Sequence, residues 1–205
     1  MRWRVRSVQG AFSSANCSRR AHLRDCLPGN LCRLTRMKNI LQILTTATAG
    51  IFASAAHADA LAIGAPLPNV TQMNQDGKAV NLAEVGADGF TLVYFYPKAD
   101  TPGCTKQACS LRDSYVTLTE KGVRIFGVSM DKGADQKAFK AKYKLPFELL
   151  ADTDGKVVDA FGVPKTMGFA KRQAFLFKDA KLVWMDLDAS TEKQAEDVLA
   201  HIAKQ

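Results

Sequence analysis

Two cysteines share one short segment, Pro97-Lys98-Ala99-Asp100-Thr101-Pro102-Gly103-Cys104-Thr105-Lys106-Gln107-Ala108-Cys109. A loop running into a helical pattern puts Cys104 in the first turn of a helix, where unpaired backbone N–H groups and the positive helix end favour a thiolate. The thiolate is the nucleophilic form of cysteine. An ordinary thiol of pKa ~8.5 is about 3% ionised at pH 7, and a pKa of ~6 makes that about 90%, a gain of roughly 30-fold. That gain is too small for a dedicated catalyst. The remainder must come from donors that hold an electrophile and stabilise charge on its leaving atom. Thr101, three residues upstream, and the backbone amide of Cys104 are placed to act so.

Cys109 follows Cys104 by five positions. In a regular helix that spacing rotates one side chain ~140° from the other and separates the Cα atoms by ~8.7 Å, beyond the ~7 Å limit for a disulfide. A bond between the two sulfurs therefore requires the helix start to unwind. Two cysteines in an exported protein also suit a structural disulfide, but the reactive location of Cys104 favours a catalytic pair. Zinc is poorly served, because beyond residue 58, where a leader is expected to end, His201 is the one histidine and there is no second cysteine pair. The same shortage removes an imidazole-activated nucleophile, since His201 lies in the last helical stretch. A cation is the alternative. Arg172 precedes a strand pattern and has a planar fork of donors that could reach over Cys104; plain surface solvation of Arg172 stands equally open at this point.

Charge is unevenly spread. The chain has 205 residues with 28 Lys plus Arg against 20 Asp plus Glu, a net +8. Residues 1–36 hold eight Arg, no Lys and one Asp, a net +7, whereas residues 59–205 hold 19 basic and 19 acidic side chains. A neutral body has no electrostatic footprint for nucleic acid. No apolar run reaches the ~18 residues of a membrane span, so no stable membrane association is expected. Met37 and Lys38, the weakly polar stretch 40–56 and the small-x-small site Ala56-His57-Ala58 read as a secretory signal peptide cleaved near Ala58. Three units are expected: an over-extended, unstructured start at 1–36, a signal peptide at 37–58, and one domain at 59–205. The product is expected to be periplasmic or secreted. Removing the leader discards Cys17, Cys26 and Cys32 and leaves Cys104 and Cys109.

The elements that must position these residues follow from periodicity. Residues 61–68 read as irregular, and Asp76-Gly77 as a turn between short extended pieces. The continuous apolar run at 90–96 predicts a strand buried on both faces, ended by Pro97. Residues 104–121 carry Ala108, Leu111, Tyr115 and Leu118 at helical spacing, with Gly122 as the C-terminal cap. A second buried strand is expected at 123–129, a helix at 134–144, a short strand at 147–151 and a helical turn at 156–161. Residues 173–177 and 182–187 flank the turn Lys178-Asp179-Ala180-Lys181 as a hairpin. Thr191 and Gln194 are expected to form a capping box before a last helix that turns Ala195, Val198, Leu199 and Ile202 inward. This order calls for an α/β fold, a thioredoxin-like sandwich with a mixed central sheet and helices on both faces. Asp152-Thr153-Asp154-Gly155 lacks the later acidic ligand of a calcium loop and reads as a turn with a helix cap. Trp184, Phe175 and Phe177 read as packing, and Lys137, Lys140, Lys142 and Lys144 as a solvated helix face.

Phe95-Tyr96-Pro97-Lys98 through Cys109-Ser110-Leu111-Arg112-Asp113 resembles the active-site segment of peroxiredoxins of the bacterioferritin comigratory protein, or peroxiredoxin Q, type. The likeness continues through Gly127-Val128-Ser129, Tyr143-Lys144-Leu145-Pro146-Phe147, Leu149-Leu150 and Phe161-Gly162-Val163 to Arg172. It implies that Cys104 is the peroxidatic residue, which attacks a hydroperoxide and becomes a sulfenic acid. It further implies that Pro97 shields the site, that Thr101 and Arg172 bind and polarise the peroxide, and that Cys109 resolves the sulfenic acid as an intramolecular disulfide. A thioredoxin-like protein would reduce that disulfide, with no metal, flavin or haem cofactor, and the protein is expected to be a monomer. Two features depart from the family pattern: Ala174 stands where Thr or Ser is usual, and 165–171 differs. Two rival readings are a thiol-disulfide oxidoreductase, whose cysteines are ordinarily separated by two residues, and a secreted binding domain with a structural disulfide.

Overall fold

The run Phe90–Phe95 has no polar face to offer solvent, and the chain meets this by making it the middle strand of a sheet. The computed structural model describes residues 61–205; the expected start at 1–36, the signal peptide and its cleavage site, and Cys17, Cys26 and Cys32 lie outside the described residues. In chain order the elements are β1 (Thr71–Met73), β2 (Ala79–Asn81), α1 (Leu82–Val85), β3 (Phe90–Phe95), α2 (Pro102–Asp113), α3 (Tyr115–Glu120), β4 (Val123–Ser129) and α4 (Gly133–Tyr143). They continue with β5 (Glu148–Ala151), α5 (Lys156–Ala160), β6 (Lys165–Thr166), β7 (Phe169–Ala170), β8 (Gln173–Lys178), β9 (Lys181–Asp186) and α6 (Gln194–Ile202).

The central sheet has the order β5-β4-β3-β8-β9. β3 pairs parallel with β4 and antiparallel with β8, so the sheet is mixed, as expected. Side chains alternate across it. Leu92 and Tyr94, with Tyr96 just beyond the strand, face a core shared with Ala108 and Leu111 of α2, Leu118 of α3, Phe139 of α4 and Val198 of α6. Val93 and Phe95 face the opposite core, with Leu82 of α1, Val157 and Val158 of α5, Phe161, Phe175 and Phe177. Helices thus cover both faces, and the architecture is the thioredoxin-like α/β sandwich.

Two local expectations are corrected, and two elements are added. The stretch 104–121 is two helices, because the chain bends at Ser114 between α2 and α3; the bend keeps both Leu111 and Leu118 buried. The short hairpin β6-β7 and helix α1 carry no strong periodicity and were not anticipated. The capping box is absent: α6 starts at Gln194 with Lys193 as cap residue and no side-chain cap bond, while Ser190 Oγ accepts from the amides of Glu192 at 3.3 Å and Lys193 at 3.0 Å. Elsewhere the turn chemistry holds. Gly122 has φ +75° after α3, a left-handed conformation that glycine adopts without a Cβ penalty. Asp152, fully buried, accepts from the amides of Val157 at 3.1 Å and Val158 at 2.8 Å and so caps α5.

Phe175 packs edge-on between Phe95, with centroids 5.7 Å apart, and Phe161 at 5.3 Å. Replacing it with alanine leaves a cavity on the face away from the cysteines. Phe175→Ala is expected to lose about 3–5 kcal/mol of stability in urea unfolding; a loss under about 1 kcal/mol would contradict this packing.

Candidate active site

The segment between β3 and α2 is held from below by a chain of buried polar groups. Tyr96 donates its hydroxyl to Gln136 Oε1 on α4. Gln136 Nε2 in turn donates to Ser129 Oγ at 2.7 Å and to the Leu150 carbonyl at 3.2 Å. Ser129 Oγ donates to Asp131 Oδ2 at 2.7 Å, and the same carboxylate accepts the Ala99 amide at 2.7 Å. The turn beyond is strained and braced: Asp100 has φ +57°, and its carboxylate takes Lys142 Nζ at 2.7 Å and the Tyr143 hydroxyl at 2.6 Å. These hydrogen bonds, Lys142 first, hold the Asp100 carboxyl below the ordinary carboxylate range. Three of the four lysines read as a solvated face also make contacts: Lys142 to this turn and Lys137 to Asp76 at 3.0 Å, both still exposed, and Lys140, which donates to the Phe147 carbonyl.

Pro102 occupies the first turn of α2, where a missing N–H costs nothing. The first helical bond runs from Thr105 N to the Thr101 carbonyl at 2.8 Å, so the amides of Gly103 and Cys104 precede the ladder and point out of the helix mouth. Cys104 sits two residues past Pro102 and is 1% exposed. Thr101 is the cap residue, and its hydroxyl donates to the Lys98 carbonyl at 3.0 Å rather than to a helix amide. Pro97, half-buried, ends the run that follows β3.

Arg172 arrives from the strand that neighbours β3, on the face that carries Cys104. Antiparallel pairing sets Phe95 opposite Gln173, so the residue before β8 lies beside the chain leaving β3 for α2. Arg172 Nη2 approaches Cys104 Sγ at 3.4 Å, and Nη1 donates to Gln107 Oε1. Gly103 makes room: a Cβ there would stand 3.3 Å from Arg172 Nη2 and 3.5 Å from Thr191 Cγ2. Of the two openings left for Arg172, solvation or the sulfur, the fold takes the sulfur. Ala174 is fully buried opposite Tyr94 and offers Arg172 no hydroxyl; Gln107 supplies the oxygen instead.

Cys109 is half-buried on the same unbroken helix, and both thiols are free. Arg112, one turn further along, is clamped by Asp113 at 2.7 Å and donates to the Tyr143 carbonyl at 2.9 Å; Asp113, with a smaller contribution from Cys109, favours its charged form. The hydroxyl of Tyr94 is buried without a hydrogen-bond partner among the described residues, and burial pushes its pKa far up. His201 lies on α6 against Trp184, ring centroids 6.0 Å apart, and burial lowers its pKa. Among the described residues no group of three or more His, Cys, Asp or Glu is arranged to hold a metal ion.

Sequence reasoning missed Gln107, Gln136 and Asp131. Gln107 alone left a trace, because a residue three places after Cys104 shares its helix face.

Residues 63–185 match the AhpC/TSA family. Among curated relatives, the chloroplastic peroxiredoxin Q of Oryza sativa subsp. japonica is 50% identical over 101 residues, 49% of this chain and 46% of that protein. The wheat (Triticum aestivum) counterpart is 47% identical over 104 residues, 51% of this chain and 48% of that protein, so the chain spans about half the length of these relatives. Among solved structures, peroxidoxin BcpB from Mycobacterium tuberculosis superposes with a TM-score of 0.65 at 30% identity, covering 69% of this chain and 96% of that one. The Xanthomonas campestris bacterioferritin comigratory protein, whose structures concern alkyl peroxide reduction, gives 0.64 at 26% identity, covering 71% and 98%. A buried thiol at a helix mouth under an arginine, on a matching sandwich and with this breadth of likeness, places the chain in the AhpC/TSA family as a protein of peroxiredoxin Q type.

Proposed function

We propose that this protein is a thiol peroxidase that reduces hydrogen peroxide and organic hydroperoxides. The observation that carries the reading is the approach of Arg172 Nη2 to Cys104 Sγ at 3.4 Å, at the open amide end of α2. The Cys104 thiolate attacks one oxygen of the peroxide; a sulfur–oxygen bond forms as the oxygen–oxygen bond breaks, and the second oxygen leaves as water or alcohol after taking up a proton. Arg172 and the Cys104 amide hold the peroxide and meet charge on the leaving oxygen, and the Thr101 hydroxyl, whose proton goes to the Lys98 carbonyl, accepts from the peroxide O–H. Pro97 shields the sulfur from water.

The sulfenic acid is then attacked by Cys109, releasing water and leaving a Cys104–Cys109 disulfide. Within α2 the two Cα atoms would be ~8.7 Å apart, too far for that bond, so the first turns of the helix unwind at this step. A thioredoxin-like dithiol returns the pair to thiols by exchange. The domain acts as a monomer at 59–205, behind a signal peptide at 37–58 that sends it to the periplasm or outside the cell. The hydropathy and small-x-small site of that stretch support export.

Cys104→Ser is expected to abolish peroxide consumption in a coupled assay; normal turnover would defeat the proposal. Cys109→Ser is expected to consume about one equivalent of peroxide and then stall with a protein dithiol as donor, and unimpaired cycling would place resolution elsewhere. Arg172→Met is expected to slow single-turnover oxidation of Cys104 by about 10²- to 10³-fold, the usual effect of losing one charge-stabilising donor. A change under about threefold, read by stopped-flow fluorescence, would remove Arg172 from the chemistry. Mass spectrometry of the natural product should find Asp59 at its N-terminus.

A further inference from the structure

We infer that Gln194, the first residue of α6, is a positioning residue for Arg172: it fixes the orientation of the Gln107 amide and thereby holds one guanidinium nitrogen over the Cys104 sulfur. The direction of each bond follows from the arginine. A guanidinium has donors and no acceptor, so the oxygen of Gln107 must face Arg172 Nη1. The nitrogen of Gln107 must then point the other way and donate, and it meets Gln194 Oε1 at 2.9 Å. That leaves Gln194 Nε2 as the end of the chain, buried and without a partner among the described residues.

Both glutamines are fully buried. A buried amide with an unpaired N–H is costly, and an apolar side chain of similar volume would avoid the cost. α6 gains no cap from Gln194, because Ser190 meets the amides before the helix. What Gln194 does supply is an acceptor, and only an acceptor keeps Gln107 from turning over. Turned over, Gln107 would present its nitrogen to Arg172, donor against donor, and the guanidinium would be driven off its place at the sulfur.

The chain around Gln194 is docked along the start of α2. Glu192 pairs with Lys106 at 2.7 Å, Thr191 packs next to Gly103, and the Ala195 amide donates to Ser110 Oγ at 3.3 Å. Gln194 is thus set on the site by contacts on both sides of it.

This inference rests on the proposed peroxidase activity for its kinetic test alone. In full-length Cys109→Ser protein, Gln194→Leu is expected to slow single-turnover oxidation by hydrogen peroxide about tenfold, the effect of one network hydrogen bond. Gln194→Glu keeps the acceptor and is expected to stay within about threefold of the parent. In an Arg172→Met background, Gln194→Leu is expected to have no further effect, since both changes act on one group. A purely structural role would instead give additive losses, or equal losses in Leu and Glu variants, and would overturn the inference. The second readout needs no peroxide: the Gln107 side-chain amide protons, followed by NMR hydrogen exchange, are expected to be protected in the parent and in Gln194→Glu and to lose protection in Gln194→Leu. Unchanged protection would refute the inference even if activity fell. If the parent leaves peroxide intact, the activity reading fails by itself and the NMR result alone decides the role of Gln194.

Discussion

One contact organises this molecule: a guanidinium over a buried sulfur at the mouth of a helix. Each partner reaches it by a different route. Cys104 is delivered by a strand that ends in proline and a loop that ends in a helix start, so the sulfur sits where the first amides of α2 have no partner of their own. Arg172 is delivered by strand register, because β8 runs antiparallel to β3 and begins beside the point where β3 ends. A shift of one residue in that pairing would turn the strand's alternate faces over and move Arg172 away from the sulfur. The sheet's register is therefore a condition of the chemistry as well as of the core.

The polar groups around the contact divide into two sets with different tasks. Tyr96, Gln136, Ser129 and Asp131 lie under the loop and hold its backbone, ending on the Ala99 amide. Gln107 and Gln194 lie along α2 and hold the arginine. Buried hydrogen bonds of this kind are costly to leave half-made, which gives them the power to fix one geometry over others. The proposed cycle also requires α2 to open. Its start is joined to the rest of the fold by an exposed ion pair, Lys106 with Glu192, by the buried Gln107–Gln194 hydrogen bond and by the burial of Cys104 and Ala108, and Leu111 further along is also fully buried in the core. The ion pair contributes little; the cost of opening lies in breaking the buried Gln107 contacts, while Leu111 holds the remainder of the helix in place.

Most of the fold was legible in the chain. Continuous apolar runs at β3 and β4 signalled strands covered on both faces, and three-and-four spacing located α2, α4 and α6 within a few residues. What misled were features whose sequence signal was ambiguous. Thr191 and Gln194 have the spacing of a capping box, but the buried site needs the Gln194 oxygen more than the helix end does. Ser114 looks unremarkable within a helical pattern, yet the chain bends there because Leu111 and Leu118 must both reach the sheet. The lysines of α4 share a polar face, and whether one of them is solvated or bound to Asp100 depends on a turn that lies 42 residues away.

The sequence by itself determined the reactive end of the molecule. The residue types from Pro97 to Cys109, their order, and the helix start they encode are local properties, and local backbone physics is enough to place a thiol among unpaired amides. Tertiary structure decided what stands over that thiol. Arg172 and Gln194 lie 68 and 87 residues from the groups they meet, Cys104 and Gln107. No periodicity links such positions; they are joined only when strands pair in one register and a helix buries its apolar side, and those are choices made by the packing of the whole chain.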